Sequence, residues 1–396
     1  MMKIGIAAPV DIHSLGEYFP DIKTNNLPKG IGGTIIPTYL TKEFIARGHS
    51  VSLYTSDKEI EQPSTFTGNN LKIFVGRYRK RARNRALDFF AVERQDIYEA
   101  IISDTVDIVN AHWTYEFALS AQATKTPTII TARDAPFAIL RYNTNVYRFI
   151  RLLMASKVIH QAKYMTAVSD YIANHLKKYF GYKRNLQIIP NGIYSPENHN
   201  HFKVEKRQRK EMIYFSISNG WGKLKNEEKL LGAFHLVRQK IPNAELWMFG
   251  REHGLNEAAY QWAAKKKLTE GVKFIGEVSH NVLLNNLSQY ADVLVHPSLE
   301  ESFGNILLEA LIFSVPVIGG EKSGAVPSVL ANGNAGLLVN VKSSQKLAEG
   351  MLLFGENRSL RQEFGEKGRN HVIDHYSISK MIDSYMSTYE AVLNRA

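Results

Sequence analysis

Cysteine is absent from all 396 residues, which excludes disulfides, thiolate chemistry and Cys-ligated metal and suits a reducing compartment. No apolar run approaches the ~20 residues that cross a bilayer. The opening MMKIGIAAPV stops at Asp11, too short for a secretory leader, and reads as a first strand. Solenoid repeats and low-complexity tracts are missing as well. These absences point to a cytoplasmic globular protein.

Hydrophobic residues make up 44% and charged residues 22%, an ordinary globular balance. The length predicts two domains, each burying its own core. Net charge is +11, with most of the excess in the first half. The sharpest basic cluster is GRYRKRARNRALDFF, with Arg77, Arg79, Lys80, Arg81, Arg83 and Arg85 ahead of Phe89 and Phe90. Residues 77–90 fit an anionic membrane surface at the inner face or, equally, a solvated loop and helix. No recognised nucleic-acid module accompanies them, so nucleic acid is not expected as a partner.

Along residues 1–192, short β-branched runs alternate with helical periodicity, the pattern of a parallel sheet covered on both faces. Strands are expected at KIGIAAPV, HSVSLYTS, LKIFVGRY, DIVNAH, PTIITARD, KYMTAVS and LQIIPNGI, and one helix spans ALDFFAVERQDIYEAIIS. Polar residues 193–210 read as a linker. A second alternating series fills 211–375, and a helix at 376–396 is expected to pack back toward the first domain.

Chemistry-bearing residues cluster at predicted strand ends. ADVLVHPS is a strand, and EESFGNILLEAL after it is a loop with Glu301 running into a helix that carries Glu309. Gly304 lets backbone approach a ligand, and the N–H groups from Asn305 onward face it. Spacing alone also suits an exposed loop Glu and an ordinary helix-surface Glu. Gly30, Gly32 and Gly33 precede a helix, where backbone N–H groups can meet a diphosphate. His112 closes the strand DIVNAH, and Arg133 and Asp134 close TIITARD. Arg133 there can bind a phosphate or carboxylate, or pair with Asp134. Ser169 suits an N-cap, and His49 a structural cap at a helix end.

The segment PSLEESFGNILLEAL resembles the donor-sugar site of retaining family 4 glycosyltransferases. The resemblance implies an α/β GT-B fold, with two doubly wound Rossmann-like domains facing across a cleft. It implies that Glu301 contacts a sugar hydroxyl near the reacting carbon, that Phe303, Gly304 and Asn305 form the donor turn, and that Glu309 holds the ribose. Gly32 and Gly33, followed by the Gly-His-x-Val of ARGHSVSLYT, would face the donor phosphates, with Gly250 near the base. His112 would line the sugar pocket, Asp134 and Arg133 the acceptor side. Two departures stand out. Arg133 replaces the His of the usual Thr-x-His-Asp. Relatives also carry an Arg and, five positions on, a Lys that clamp the diphosphate; here these are Gly220 and Lys225, with Lys223 a substitute cation. Ser328 replaces the Glu of a further Pro-Glu-Val.

What the resemblance implies is front-face, retaining transfer from a nucleotide sugar, most simply a UDP-sugar, to a saccharide acceptor, with no cofactor and no metal. The lack of an Asp-x-Asp pair agrees. A lipid-linked acceptor fits the basic half. A non-catalytic partner subunit, a nucleotide-sugar epimerase and a phosphorylase are the alternatives.

Overall fold

The computed structural model of the protein describes residues 1–184, 186–195 and 211–395. The chain divides into two compact units, Met1–Asn191 with Ile378–Ala396, and Gly192–Ser377. Apart from residues 193–195, the expected linker lies outside the described residues.

The first unit holds β1 (Lys3–Ala7), β2 (Ser50–Asp57), β3 (Ser64–Gly68), β4 (Leu71–Arg77), β5 (Ile108–His112), β6 (Thr128–Ala132), β7 (Tyr164–Ala167) and β8 (Leu186–Ile188). They form one sheet in the order β3-β4-β2-β1-β5-β6-β7-β8, parallel except for β3. Ile4, Ile6, Ile108 and Ile129 are fully buried, as expected for central strands covered on both faces. The last helix, Ile378–Leu393, belongs to this unit: Asn110 Nδ2 donates to Tyr389 Oη at 2.7 Å, and Arg47 pairs with Asp383 at 2.5 Å.

One strand is additional to those expected, and one expected helix breaks. β3 carries no apolar run; it is an antiparallel edge strand joined to β4 through Asn70, whose φ is +54°. The expected helix across ALDFFAVERQDIYEAIIS breaks at Phe89 and Phe90, both left-handed at φ +55° and +60°, into Ala82–Leu87 and Ala91–Ile102. The break buries Phe90 completely.

The basic cluster also differs from its sequence expectation. Arg77 is paired bidentately with Asp96, Arg79 with Asp88 and Glu93, and Lys80 with Glu59. Arg85 is buried, its guanidinium 4.1 Å from the Tyr78 ring centre. Only Arg81 and Arg83 remain exposed and outside any ion pair among the described residues.

The second unit holds β9 (Ile213–Ile217), β10 (Glu245–Phe249), β11 (Val272–Gly276), β12 (Val293–His296), β13 (Val317–Gly320) and β14 (Leu337–Val339). All pair in parallel, in the order β11-β10-β9-β12-β13-β14. Its core packs Leu230 and Phe234 of one helix, and Leu347 and Met351 of another, against Leu246, Met248 and Val293 of the sheet. Each strand's carboxyl end opens into a loop, the usual ligand side of such sheets. Among the described residues no helix is long and apolar enough to cross a membrane.

Candidate active site

In the second unit the chain leaves β12 at His296 and enters the loop that carries Glu301. The loop after β13 grips that loop. Ala325 N donates to Glu301 O at 2.9 Å, and Ser323 Oγ donates to Ser298 O at 2.6 Å. Gly324 is required for the grip, because its φ is +62° and a methyl there would stand 2.3 Å from Glu301 O. The carboxylate this holds has two cation-capable neighbours, Lys225 Nζ donating to Oε1 at 2.9 Å and His296 Nε2 at 3.2 Å from the same oxygen. Burial raises the carboxyl's pKa, but Lys225 and His296 outweigh it and hold Glu301 far below the usual carboxylate range. Glu301 is therefore an anionic hydrogen-bond acceptor at neutral pH, suited to a hydroxyl or a developing positive charge and unsuited to donating a proton.

Gly304, at φ +92°, caps the helix Asn305–Ile312. Within it Leu307, Leu308, Ala310, Leu311 and Ile312 are buried, and Glu309 is the one carboxylate among them. Such a group needs a partner. His280 Nε2 supplies it at 3.0 Å from Oε1, and the second carboxylate oxygen has no partner among the described residues. Burial opposes a charged His280, yet Glu309 raises its pKa above the ordinary value. The Phe303 ring packs edge-on against Tyr376, 5.7 Å between centres, so this residue offers backbone rather than side chain.

Lys225 is positioned by its neighbour. Asn226, left-handed at φ +58°, donates through Nδ2 to Pro297 O at 3.0 Å and to Val341 O at 2.8 Å, tying three strand-end loops together. Lys223 is exposed and makes no ion pair among the described residues. At Gly220 (φ +89°) a methyl would lie 3.6 Å from Arg251 Nη2, and Gly220 N donates to Arg251 O at 3.2 Å. The loop after β10 thus brings both the Glu252 carboxylate, 3.3 Å from such a methyl and accepting from Trp221 N at 2.6 Å, and the Arg251 guanidinium up to position 220. Gly250 fits because a methyl there would stand 1.8 Å from Ser218 O, so only glycine lets the loops after β9 and β10 touch. Below them Glu227 accepts from Ser218 Oγ at 2.9 Å and from His253 Nε2 at 2.5 Å. Burial opposes the charged His253, and Glu227 still raises its pKa. Sequence reasoning missed His296, His280 and His253; only His296, closing VLVH at a strand end, carried a signal there.

In the first unit Gly32 (φ +68°) has no atom within 4 Å of an added methyl, leaving its backbone open to approach. At Gly33 (φ +138°) a methyl would stand 3.3 Å from the ring of Trp113, the residue after His112. His112 itself is buried at the end of β5, beside Arg133 just past the end of β6. Arg133 Nε donates to His112 Nδ1 at 2.7 Å, and Nη1 to Asn191 Oδ1 at 2.8 Å. That bond assigns the tautomer: Nδ1 accepts, so Nε2 carries the proton and is a donor. Burial, with the Arg133 charge, pushes His112 well below the ordinary histidine value. Asp134 turns away from Arg133; its Oδ2 accepts from Tyr115 Oη at 2.7 Å, beneath Arg151, which stacks 3.6 Å from the Tyr115 ring centre. Burial raises the Asp134 pKa against the pull of Tyr115 and Arg151. Ser169 caps its helix by accepting from Ile172 N at 3.2 Å, and His49 Nδ1 accepts from Met2 N at 3.1 Å.

Residues 32–195 match the family model described as Glycosyltransferase Family 4, and residues 197–371 the one described as Glycosyl transferases group 1. An N-acetyl-alpha-D-glucosaminyl L-malate synthase of Bacillus anthracis is 23% identical over 92% of this chain and 95% of its own. Among solved structures, sucrose-phosphate synthase from Thermosynechococcus elongatus superposes with a TM-score of 0.78 at 16% identity, covering both chains fully. HepE of Anabaena, solved with UDP and glucose, does so with a TM-score of 0.67 at 14% identity, covering 99% of this chain and 100% of that one. Both neighbours share the fold of two Rossmann-like parallel sheets, GT-B.

Proposed function

The chain belongs to the group 1 glycosyltransferases of family 4, enzymes of polysaccharide and glycoconjugate biosynthesis, and from that premise we propose its reaction. It moves a sugar with retention from a nucleotide sugar, a UDP-sugar in the first instance, to a saccharide hydroxyl, without a metal. The observation that carries the reading is the Glu301 carboxylate, kept ionised by Lys225 and His296 in the loop after β12, with Glu309 about one turn into the helix that follows.

Each residue has a task in this reaction. Glu309 binds the ribose hydroxyls through the oxygen His280 leaves available. Lys225 and Arg251 neutralise the departing diphosphate, with the N–H groups at Gly304 and Asn305 adding the helix dipole. Lys223 is a secondary cation, and Gly250 seats the base. Glu301 accepts from a sugar hydroxyl and steadies the oxocarbenium-like carbon. The bond from that carbon to the diphosphate breaks, and the acceptor oxygen attacks the same face. The acceptor proton passes to the leaving phosphate oxygen. His112 is no base here, since its Nδ1 is occupied and protonation is disfavoured; it donates through Nε2, with Gly32 and Gly33 offering backbone and Asp134 on the acceptor side.

Proton NMR of the product tests this, with UDP-sugars, an acceptor pool and EDTA present. The expected product keeps the donor's anomeric configuration. Inverted product would contradict the mechanism. Turnover of donor alone would indicate an epimerase, dependence on inorganic phosphate a phosphorylase, and binding without turnover a non-catalytic subunit.

We also propose peripheral membrane attachment for a lipid-linked acceptor, on a narrower surface than the sequence suggests. Exposed Leu87, Phe89, Phe149 and Leu153 lie on or beside the packed helices Ala82–Leu87 and Val146–Gln161, near Arg81 and Arg83. Co-sedimentation with anionic vesicles should weaken in Arg81→Ala/Arg83→Ala; unchanged sedimentation removes the proposal.

A further inference from the structure

Arg133 is a buried cation that meets no carboxylate. It is 7% exposed, and its hydrogen-bond partners, His112 Nδ1 and Asn191 Oδ1, are neutral acceptors. Nothing accepts from its remaining Nη2, which is shielded from solvent. The carboxylate next to it in sequence, Asp134, is committed to Tyr115, and the Glu116 carboxylate to Arg151. Arg133 takes part in no ion pair among the described residues.

An isolated buried ion costs several kcal/mol unless another group compensates it. Arg151 faces the Glu116 carboxylate, and buried Arg85, which has no ion pair among the described residues, lies over the Tyr78 ring at 4.1 Å from its centre; among those residues Arg133 has neither a carboxylate nor an aromatic face. Here the charge is left over. Among the donors of this unit that are buried without acceptors are His112 Nε2–H and the Tyr385 hydroxyl. The His112 proton is fixed on Nε2 by the Arg133 bond itself, so guanidinium and imidazole form one donor pair. The pair lies beyond the carboxyl ends of β5 and β6, adjacent parallel strands registered His112 to Thr131, where open sheets bind ligands. A neutral hydroxyl would satisfy a hydrogen bond but not the charge. An oxyanion satisfies both.

Resting on the glycosyltransferase reading above, the geometry points to an acceptor that carries a carboxylate or phosphate group, bound by Arg133 Nη2 and His112 Nε2. Arg133 is then the residue that selects acidic acceptors over neutral sugars. The His that stands at this position in the resembling family would supply hydrogen bonding without the permanent charge. No covalent step is involved; the group is a handle that orients the attacking hydroxyl.

Calorimetry with glucose, glucose 6-phosphate, malate and inorganic phosphate, with no nucleotide present, tests the site directly. Binding is expected for at least one of the three anions and not for glucose, with phosphate against malate separating the two oxyanion types. In Arg133→His the anion affinity should fall by about 10- to 100-fold, the range for hydrogen bonds to charged groups. Arg133→Lys, which keeps the charge but loses the fork, should fall between the two. Equal binding of anions to the parent and Arg133→His would overturn the inference, as would tighter binding of glucose than of any anion. A UDP-induced rise in melting temperature, measured on both proteins, serves as fold control and reports the donor site separately. Anion binding without a UDP response would sink the donor reading and leave the anion-binding pocket; a UDP response without anion binding would do the reverse.

Discussion

In the second unit each buried or half-buried site carboxylate faces a lysine or an imidazole: Glu301 faces Lys225 and His296, Glu309 faces His280, and Glu227 faces His253. In the first unit Arg133 meets an imidazole and an amide. The histidines report the same contrast. Carboxylates raise His253 and His280 above their ordinary value, whereas burial lowers His112 and His175. On the proposed reading, a donor site that meets one kind of leaving group can be compensated internally, whereas an acceptor site leaves compensation to its partner.

The largest effect should come from breaking the compensated side. Glu301→Gln keeps the shape but removes the charge, and kcat should fall by about 10²- to 10³-fold in a transfer assay, as for a lost oxyanion-type contact. UDP should still raise the melting temperature. Gly324→Ala touches no substrate, but its methyl would collide with Glu301 O and its φ is +62°. Shifting the Glu301 peptide should cost on the order of 10²-fold in kcat, a typical penalty for about 1 Å of misplacement.

How much of this was legible is uneven. The Glu301 loop and Glu309 helix stand where EESFGNILLEAL places them, because an apolar strand, a glycine and an apolar helix leave little choice. Lys225 could be located by counting, but its bond to Glu301 is 76 residues long-range and no spacing encodes it. His280 and His253 were invisible for the same reason. The sequence leaves the partner of Arg133 open; in the fold Asp134 accepts from Tyr115, and the guanidinium donates to His112 and Asn191 instead. The break at Phe89 and Phe90 escaped because left-handed φ at two aromatics contradicts local propensity and is imposed by packing.

A smaller effect distinguishes the cations. Arg251→Ala should weaken UDP binding by about tenfold in calorimetry, while exposed Lys223→Ala should change it about twofold or less. The reverse ranking would return the lost charge to Lys223.

The smallest effect is acid sensitivity of the first unit. Burial lowers His175 to about 4 from 6.5. A lowered histidine contributes fully above the unfolded pKa, and stability is lost as pH falls below about 6.5, because the unfolded chain then binds the proton more readily. His112 acts in the same direction. His280 and His253 act oppositely, contributing below 6.5 and losing that contribution as pH rises through their raised values. Denaturant titrations should show on the order of 1 kcal/mol or less lost from His175 between pH 7 and 5, the full shift being reduced by solvent screening. His175→Leu should remove that part of the slope; an unchanged slope would mean that this burial has no energetic consequence.

The central claim is that the second unit binds a nucleotide sugar through its paired acids. A thermal-shift panel of nucleoside diphosphates and UDP-sugars on the parent protein and Glu309→Ala tests it most directly. A clear rise in melting temperature is expected for the parent, and Glu309→Ala should largely lose it. No rise with any nucleotide, or an equal rise in both proteins, would contradict it.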